Sequence, residues 1–465
     1  MRMKLRPIGM VLFLSAMILN ATAQERHDFS AKDAVEYAKK NSSQVKNALL
    51  DIKIQEQVNK EVTAAALPTI TGSTGINYFP NVGVQTFPNF IAAGTYGVLS
   101  KEGVLNGQGI PITSPNDFGI IQAQFGTKFN NSVGISLQQL LFDGQVFVGL
   151  QARRTVIEMA EKTAEVTEEN IRANIYKIYY QLAASKNQLS ILDANISRLQ
   201  KLSSDTKKLF DNGFAEKLDI SKLDVQLSNL QTEKLKALNT INNGFLGLKL
   251  LMGMPVKDTL VLTDSITYND IRTGVLEATQ YNYADRKEYQ QAQIGLKLGD
   301  YNIRRYQLSK IPTVSLSSNY NLIRQSNDFG FGGRWNKSSL IGLNINVPIF
   351  RGFAVDARIA NARLQQEKNL NNVDALKLSI DRDVQQAINN YTNALATLDA
   401  QKRNMDLAET VYNQTQLKFQ NGIGSQTEIS TAQSDLQVAQ SNYILALYDA
   451  INAKIDFLKA TGKLQ

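Results

Sequence analysis

The amino-acid sequence predicts an α+β membrane protein in which long antiparallel coiled-coil helices are combined with four β-strands per chain. Three observations lead to this fold class. The chain is an internal duplication, each copy contains a helix-length segment of about 65 residues without proline, and each copy has alternating apolar and polar runs of about ten residues. Segments of these lengths are typical of long helices and of tilted strands that cross a bilayer.

The N-terminus has the pattern of a secretory signal. Three basic residues precede an apolar run at residues 8–19, and the small residues Ala21 and Ala23 follow it. The apolar run is 12 residues long, whereas a membrane-spanning helix needs about 20. We therefore expect residues 1–23 to be a signal peptide that is removed on export, so that the mature chain starts at Gln24.

Charge and cysteine content narrow the function classes. Three of the 50 Lys and Arg residues lie in the signal segment, so 47 remain against 42 Asp and Glu residues. This near balance, without a basic stripe interleaved with aromatic residues, argues against a nucleic-acid partner. The absence of cysteine excludes disulfides, thiolate metal sites and a lipid-anchored cysteine.

Three sequence landmarks occur twice in the same order, which is the evidence for duplication. They are Leu67-Pro68-Thr69-Ile70 and Ile311-Pro312-Thr313-Val314, Leu141-Phe142-Asp143-Gly144 and Ile349-Phe350-Arg351-Gly352, and Phe210-Asp211-Asn212-Gly213 and Phe419-Gln420-Asn421-Gly422. The offsets are 244, 208 and 209 residues, so copy one has 36 more residues between the first two landmarks. We predict a first repeat at residues 24–254, a connecting segment at 255–273 and a second repeat at 274–465.

Each copy begins with a predicted helix that a proline ends. Apolar residues recur at helical spacing through residues 30–66, and Pro68 follows because a prolyl ring cannot continue a helix. The corresponding helix of copy two covers residues 274–310 and is ended by Pro312.

Two strands are predicted after each proline. In copy two, apolar side chains alternate with Ser, Thr, Asn and Gly at residues 313–322 and 341–347, and copy one repeats the second strand at residues 133–138. A strand that crosses a membrane and a strand of a soluble sheet both have this pattern. The nearly uncharged polar face, and the aromatic residues near the strand ends, favour the wall of a barrel with a polar lumen.

The extra residues of copy one fall between its two strands. Residues 79–131 are predicted to be a loop, whereas the corresponding loop of copy two covers only residues 323–337. We therefore expect copy one to dominate the outer surface of the protein.

A heptad pattern predicts that the long helices pair as antiparallel coiled coils. Residues 145–209 contain one glycine and no proline, and apolar residues recur every seven positions in the distal half. After a turn at residues 212–213, a matching apolar seam continues on a return helix. Copy two repeats the helix pair at residues 354–418 and 425–458.

Residues suited to catalysis or metal binding are scarce. The single histidine, His27, is expected to be exposed near the mature N-terminus, and the carboxylates show no metal-ligand spacing. The glycine-rich residues 330–333 lack the lysine and the strand-to-helix context of a phosphate-binding loop. We therefore predict no enzymatic activity, no metal site and no cofactor.

Several motifs occur together in the order found in a known family. They are the N-terminal helix at residues 29–38 with Asn41, the prolines Pro68 and Pro312, the strand exits at residues 142–144 and 350–352, and the turn segments 210–224 and 419–435. With these motifs the whole mature chain resembles the TolC family of outer-membrane efflux and secretion channels. The resemblance implies a homotrimer whose chains each contribute four strands to a shared trimeric β-barrel, and their helices to an α-barrel tunnel in the periplasm. Four strands are also too few to close a barrel alone, since the smallest have about eight.

The resemblance places functional sites at the two helix turns. In the family, these turns form the periplasmic tip, where hairpins of a periplasmic adaptor dock and the tunnel constricts. The corresponding docking residues are Phe210, Gly213, Phe214, Ala215, Phe419, Gly422, Ile423 and Gly424. The glycines are equally explained by the needs of a tight turn between antiparallel helices.

Two acidic residues correspond to the periplasmic aperture of the family. Asp219 and Glu428 each lie six residues beyond the turn glycine. The family pattern also has an acid where this chain has Thr431 and a basic residue where it has Gly424, so its closing salt bridges are not reproduced. The helix–strand transitions are expected at Pro68, Pro312, Gly144 and Gly352.

The resemblance implies a passive outer-membrane channel from the periplasm to the exterior, in a tripartite efflux pump or a type I secretion system. The expected partners are further copies of this chain, a periplasmic adaptor (membrane fusion) protein, an inner-membrane pump of RND or ABC type, and outer-membrane lipid, without nucleic acid. The alternative is an exported structural coiled-coil protein of the cell surface or periplasm, with its strands in a soluble sheet.

Overall fold

The computed structural model describes residues 25–264, 268, 271 and 281–464. The predicted signal peptide, and residues 265–267, 269–270 and 272–273 of the predicted connecting segment, lie outside the described residues. The chain divides into two compact units, each built from both copies. The helical unit consists of the described residues of Met1–Ile54, Ile157–Gly295 and Leu370–Gln465, and the strand unit consists of Gln55–Val156 and Leu296–Asn369.

The order of helices and strands repeats in the two copies. The elements are β1 (Arg26–Phe29), α1 (Ala31–Asn41), α2 (Ser43–Ala64), β2 (Thr69–Tyr78), β3 (Val84–Pro88), α3 (Phe90–Lys101), β4 (Ile120–Gln124), β5 (Phe129–Phe142), α4 (Gly144–Asp211), α5 (Lys217–Met252), β6 (Thr259–Leu262), α6 (Lys287–Leu308), β7 (Thr313–Ser326), β8 (Asn336–Asn346), α7 (Ala354–Gln420) and α8 (Gln426–Ala460). The predicted long helices and return helices of both copies are confirmed by α4, α5, α7 and α8. No helix in the described part of the chain is both long enough and apolar enough to cross a membrane.

The strand unit is built around a four-stranded antiparallel sheet in the order β2-β5-β7-β8. Thr69 of β2 pairs with Gln138 of β5, and Thr313 of β7 pairs with Asn346 of β8. The central pair, β5 and β7, joins the second strand of copy one to the first strand of copy two. Strands β2 and β8 are therefore the edges, and among the described residues each edge strand has one strand partner.

The two faces of this sheet differ in polarity, as the alternating pattern predicts. On one face, large apolar side chains are exposed to more than two fifths of their area: Ile70, Ile76, Val133, Ile135, Tyr320, Ile341, Leu343 and Ile345. On the other face, neutral polar side chains bond to one another across strands, for example Thr71 to Ser136 at 2.5 Å and Asn344 to Ser317 at 3.0 Å. An apolar patch of this extent marks a contact with lipid or protein.

The loop predicted at residues 79–131 is partly wrong. It contains the helix α3 and the hairpin of β3 and β4, and the strand β5 already begins at Phe129. Asn89 caps α3 by accepting a hydrogen bond from the Ala92 amide at 3.0 Å. The helix escapes a search for apolar stripes because its residues 90–100 are uncharged on every side.

The helical unit packs around the seams predicted from the heptads. The cluster next to the helix turns contains Leu192, Ile196, Leu199 and Leu202 of α4, Leu223 and Leu230 of α5, Tyr412 of α7, and Ile429, Ala432 and Leu436 of α8. A second cluster joins α1, α4, α5 and β6. The helices of both copies thus share one core near the turns, rather than forming two separate helix pairs.

The predicted first helices of the copies are longer than the observed ones. The predicted helix at residues 30–66 is broken at Ser42, which has extended backbone angles between α1 and α2. Gly253 packs against this break, and a Cβ there would lie 2.3 Å from the carbonyl oxygen of Asn41. In copy two, the first seven predicted residues lie outside the described residues, and α6 begins only at Lys287, after a 3₁₀ turn at Tyr283–Asp285.

Tyrosines hold the start of copy two against the long helix α7. The hydroxyl groups of Tyr281 and Tyr283 donate to one carboxylate oxygen of Asp381, at 2.6 and 2.7 Å. These two hydrogen bonds lower the pKa of Asp381. The bond to Asp381 is also the main cause that raises the pKa of Tyr281 to about 12.

The prediction that His27 is exposed is wrong. His27 lies in β1, which pairs in parallel with β6, and its side chain is only 18% exposed. Its Nε2 lies 3.6 Å from a Glu25 oxygen and 3.7 Å from an Asp258 oxygen, and its ring is 5.3 Å from that of Phe29. The histidine therefore contributes to packing of the N-terminal strand, through a strand pairing between segments more than 200 residues apart.

Tyr179 ties the C-terminal ends of both strands of this small sheet to α4, and its hydroxyl group provides the next test. The hydroxyl donates to the Phe29 carbonyl at 2.8 Å and accepts from the Asp264 amide at 3.0 Å, and the side chain is fully buried. We predict that Tyr179→Phe lowers the free energy of unfolding by about 1–3 kcal/mol, because the Asp264 amide loses its acceptor and the Phe29 carbonyl keeps only the Thr263 amide, at 3.1 Å. Thermal unfolding and amide exchange at Phe29 and Asp264 measure the effect.

Tyr448→Phe on α8 is the matched control, because its hydroxyl makes no hydrogen bond within the described residues. Equal stability of the Tyr179→Phe protein and the control would contradict the prediction.

Candidate functional site at the helix turns

The two helix turns of the chain lie together in the helical unit. The turn from α4 to α5 and the turn from α7 to α8 are joined by the core cluster that contains Leu202, Leu223 and Ile429. Near the turns, the Thr206 hydroxyl donates to the side-chain oxygen of Gln426 at 3.1 Å, and Thr206 is buried. The docking residues predicted for the two copies therefore belong to one end of the helical unit.

The glycines Gly213 and Gly422 close the two turns in the same way. Their φ angles are +80° and +72°, in the left-handed region that favours glycine. The amide of the residue after each glycine bonds to a carbonyl five residues back, Phe214 to Leu209 at 2.8 Å and Ile423 to Lys418 at 3.1 Å. This is the hydrogen-bond pattern of a Schellman motif at a helix C-terminus. The turn itself therefore accounts for both glycines.

Gly424 has a different structural reason. A Cβ at this position would lie 3.0 Å from the backbone nitrogen of Phe419 and 3.2 Å from the carbonyl carbon of Lys418. The basic side chain that the family resemblance implies here would meet the backbone of the preceding turn. The close approach explains the glycine without reference to gating.

The apolar side chains at the turns divide into exposed and packed ones. Phe214 is 81% exposed and Ile423 is 77% exposed, whereas Phe210 is 40% exposed. Phe419 packs against the core cluster, and Ala215 is partly buried. Each turn thus presents one strongly exposed apolar residue directly after its glycine, and Phe210, Gly213 and Gly422 are exposed as well.

The acidic residues Asp219 and Glu428 bond to the first turns of the return helices. A carboxylate oxygen of Asp219 accepts from the Glu216 amide at 3.3 Å. A carboxylate oxygen of Glu428 accepts from the Ser425 amide at 3.4 Å, and the Ser425 hydroxyl accepts from the Glu428 amide at 3.2 Å, which forms a capping box. A negative charge in the first turn also interacts favourably with the helix dipole.

An open polar groove runs between the starts of α5 and α8. It is lined by Leu218, Asp219, Ser221, Lys222, Val225 and Gln226 of α5, and by Gln426, Thr427, Ser430, Thr431, Ser434 and Asp435 of α8. Asp219 and Thr431 thus line the same groove. Among the described residues, no group of three His, Cys, Asp or Glu side chains is arranged to hold a metal ion.

A buried polar cluster behind the turns was not predicted from the sequence. Asn195 of α4 is fully buried, donates to Gln440 at 3.0 Å, and accepts from Gln433 at 3.0 Å and from Arg198 at 2.8 Å. The Arg198 guanidinium lies 5.7 Å from the ring centroid of Tyr412. The heptad search passes over Asn195 because this helix packs on more than one neighbour. The sequence feature that could have revealed this cluster is the set of three amide side chains, Asn195, Gln433 and Gln440, on α4 and α8.

The predicted helix–strand transitions belong to the strand unit. Pro68 and Pro312 directly precede β2 and β7, as predicted. Gly144 is the first residue of α4, and a Cβ there would lie 2.8 Å from Cβ of Leu308. Gly352 has a φ of +58°, and within this chain a Cβ there would meet no atom within 4 Å.

Comparison with known proteins finds similarity to outer-membrane efflux and secretion proteins along most of the chain. A family model described as outer membrane efflux protein matches residues 282–463. The outer membrane protein TolC of Vibrio cholerae serotype O1 is 22% identical over 340 residues, which cover 72% of this chain and 77% of that protein. The proteases secretion protein PrtF of Dickeya chrysanthemi is 18% identical over 339 residues, which cover 71% of this chain and 72% of PrtF. A crystal structure of CusC aligns with a TM-score of 0.73 at 16% identity, covering 96% of this chain and 95% of CusC.

The chain thus matches the outer membrane efflux protein family over residues 282–463, and its fold is that of CusC. In sequence and in fold it is similar to the outer-membrane channels of the TolC family.

The capping box of α8 provides a prediction that separates the helix-capping role of Glu428 from the effect of its negative charge. Ser425→Ala removes the cap and should destabilise the first turn of α8 by about 1 kcal/mol, which amide exchange in residues 426–429 measures. Glu428→Gln keeps an oxygen that can accept from the Ser425 amide, so it should change the stability by less than about 0.5 kcal/mol. Equal exchange rates in the two variants would contradict the capping role.

Proposed function

We propose that this chain is the channel subunit of a tripartite efflux pump or a type I secretion system, without enzymatic activity. Three copies share one β-barrel in the outer membrane, and their helices form a periplasmic tunnel. The channel is passive, because the sequence contains no nucleotide-binding motif. The energy for transport therefore comes from an inner-membrane pump, which a periplasmic adaptor joins to the channel.

The observation that carries the proposal is the sheet β2-β5-β7-β8, with its two open edges and its exposed apolar face. An open strand edge cannot lie in lipid, because each unpaired backbone group there costs several kcal/mol. A closed barrel removes the edges, and four strands per chain are too few to close one. Strands β2 and β8 run antiparallel to each other in the sheet, so β8 of one copy can pair with β2 of the next.

The duplication predicts the register of this junction between copies. Within the chain, Gly134 of β5 pairs with Asn321 of β7, and the Asn321 side chain lies over the glycine. The counterparts at offsets of 208 and 244 residues are Gly342 of β8 and Asn77 of β2. A glycine thus faces an asparagine in the same register at both positions, which supports pairing of β8 with β2.

The helix turns are the proposed docking and aperture regions. The exposed Phe214 and Ile423 provide apolar contacts for the tip of an adaptor hairpin. The aperture residues are Asp219 and Glu428, on the first turns of α5 and α8. Glu428→Gln, which keeps the helix cap, tests the aperture charge in planar bilayers. An unchanged single-channel conductance would contradict that role.

The lumen chemistry supports a conduit with broad tolerance. The polar face of the sheet consists mainly of Ser, Thr, Asn, Gln and Gly, without a ring of like charges. Such a wall does not select strongly among cargoes. Selection of small toxic molecules or of proteins is therefore assigned to the pump.

A cysteine pair tests the shared barrel, because the natural chain contains no cysteine. In β5 and β7, Ile135 pairs with Tyr320, and the corresponding residues at the junction are Leu343 and Ile76. We predict that the variant carrying both Ile76→Cys and Leu343→Cys forms disulfide-linked dimers and trimers in outer-membrane fractions. Denaturing gels without reductant measure the products.

The register control combines Ile76→Cys with Ile345→Cys, which lies two residues away on the same face and should link far less. An unlinked protein in the aqueous fraction would favour the exported structural coiled-coil alternative.

Gly422→Trp tests the docking assignment against a control with the same backbone conformation. Gly422 and Gly109 have φ angles of +72° and +79°, and neither would place a Cβ within 4 Å of another atom. We predict that Gly422→Trp and Gly109→Trp both assemble, and that only Gly422→Trp loses efflux, with adaptor affinity lowered by about tenfold or more. Drug susceptibility and adaptor pull-down measure these effects. Normal efflux by the Gly422→Trp protein would exclude docking at this turn.

A further inference from the structure

The exit from β5 into α4 is covered by protein within the chain. Gly144 begins α4, and a Cβ there would lie 2.8 Å from both Leu308 Cβ and Ile311 Cδ1. Leu308 ends α6, and Ile311 precedes the proline before β7. The helix-to-strand segment of copy two therefore packs directly on the strand exit of copy one.

The equivalent exit from β8 into α7 has no such cover. Gly352 is the counterpart of Gly144, and a Cβ at Gly352 would meet no atom within 4 Å. Around it, large apolar side chains are exposed: Ile349 at 93%, and Phe350 and Phe353 at 73% each. By the same duplication, the segment that should cover Gly352 is the end of α2, where Ala64 and Leu67 correspond to Leu308 and Ile311.

The end of α2 is itself uncovered. Leu67 is 57% exposed, and Ala64 is also exposed, whereas their counterparts Leu308 and Ile311 are half-buried. The two surfaces that meet at Gly144 thus have counterparts, one at Gly352 and one at the end of α2. These counterparts do not meet within one chain.

Sheet topology brings these two surfaces together only between copies. Strand β8 ends at Asn346, which pairs with Thr313 at the start of β7. Strand β2 begins with Thr69, which pairs with Gln138 near the end of β5. The end of β8 and the start of β2 therefore lie at the same end of the sheet, on opposite edges. When β8 of one copy pairs with β2 of the next, residues 349–353 and residues 64–67 become neighbours.

The backbone at Phe353 gives independent support. Phe353 is the single non-glycine residue with a positive φ among the described residues, at +61°. This conformation is strained for a residue with a Cβ. Its ring contacts Phe350, 5.4 Å away in a T-shaped arrangement, but most of its surface is open. A strained backbone that presents an open aromatic ring is explained when the ring packs on a partner.

We propose that residues 349–353 of one copy pack on the end of α2, Ala64 to Leu67, of the next copy. The contact repeats between copies the internal contact of Gly144 with Leu308 and Ile311. It rests on the proposed shared barrel, and it names the surface that holds neighbouring copies together beyond their strands. Lipid is the other possible cover for these aromatic residues, but the equivalent internal site is covered by protein.

The variant with Ala64→Cys and Gly352→Cys tests the contact in the full-length protein in its membrane. Oxidation, or a short bis-maleimide, should convert most of the chain to covalent dimers and trimers on denaturing gels. The two single variants are controls for assembly and should remain monomeric on the same gels. If the strand pair Ile76→Cys and Leu343→Cys links and this pair does not, the contact is wrong although the barrel stands. If neither pair links, the shared barrel itself is wrong.

Phe353→Gly provides a second test. Its effect on the detergent resistance of the protein should be opposite in sign depending on whether Phe353 contacts a partner. Glycine relieves the backbone strain, so an uncontacted Phe353 would make the variant at least as resistant to mild detergent as the natural protein. The proposed contact predicts a less resistant trimer instead. A benzophenone side chain at position 353 should capture a second copy of the chain, and capture of lipid would overturn the proposal.

Discussion

The open edges of the β2-β5-β7-β8 sheet are the constraint on which the rest of the structure depends. Each edge presents unpaired backbone donors and acceptors, and one face of the sheet is apolar and exposed. Neither water nor lipid satisfies both features at once, because water disfavours the apolar face and lipid disfavours the open edges. The proposed pairing between copies resolves the conflict, because it joins β8 of one copy to β2 of the next.

The duplication makes this pairing possible, because it provides two versions of every contact. In the proposed assembly, the β5–β7 pair inside the chain is the template for the β8–β2 pair between copies, down to glycine opposite asparagine. The copies also differ where they need not be equivalent. Copy one alone has α3 and the β3–β4 hairpin between its strands, and its turn is charged at Asp211, Glu216 and Lys217 where the turn of copy two is neutral.

Local chemistry accounts for the parts of the fold that could be predicted from the sequence. Pro68 and Pro312 follow helix ends because a prolyl ring cannot continue a helix in any context. Gly213 and Gly422 close the helix turns because glycine readily adopts a positive φ. The heptads of α4 and α5 likewise act within a few turns of helix. These features depend on neighbours in sequence, so single-sequence reasoning could find them.

The errors arise where a distant residue decides the local structure. The break at Ser42 lies where Gly253, more than 200 residues away in sequence, packs against the Asn41 carbonyl. The burial of His27 depends on the pairing of β1 with β6. The Asn195 cluster depends on amides of α8 that no heptad of α4 reveals. At the candidate site, the positions of the turns could be predicted, but the capping roles of the acids required the hydrogen-bond geometry.

Those capping roles also explain which charges this chain retains at the turns. Asp219 and Glu428 accept backbone hydrogen bonds and lie at helix N-termini, so the helices favour an acid there whatever the channel does. At Thr431 and Gly424, where the family resemblance implies an acid and a basic residue, the charges are absent. Of the aperture residues that the resemblance assigns, the two that are charged, Asp219 and Glu428, both cap helices. We infer that closure of this channel relies on packing around Phe419 and on neutral contacts such as Thr206 with Gln426, rather than on salt bridges.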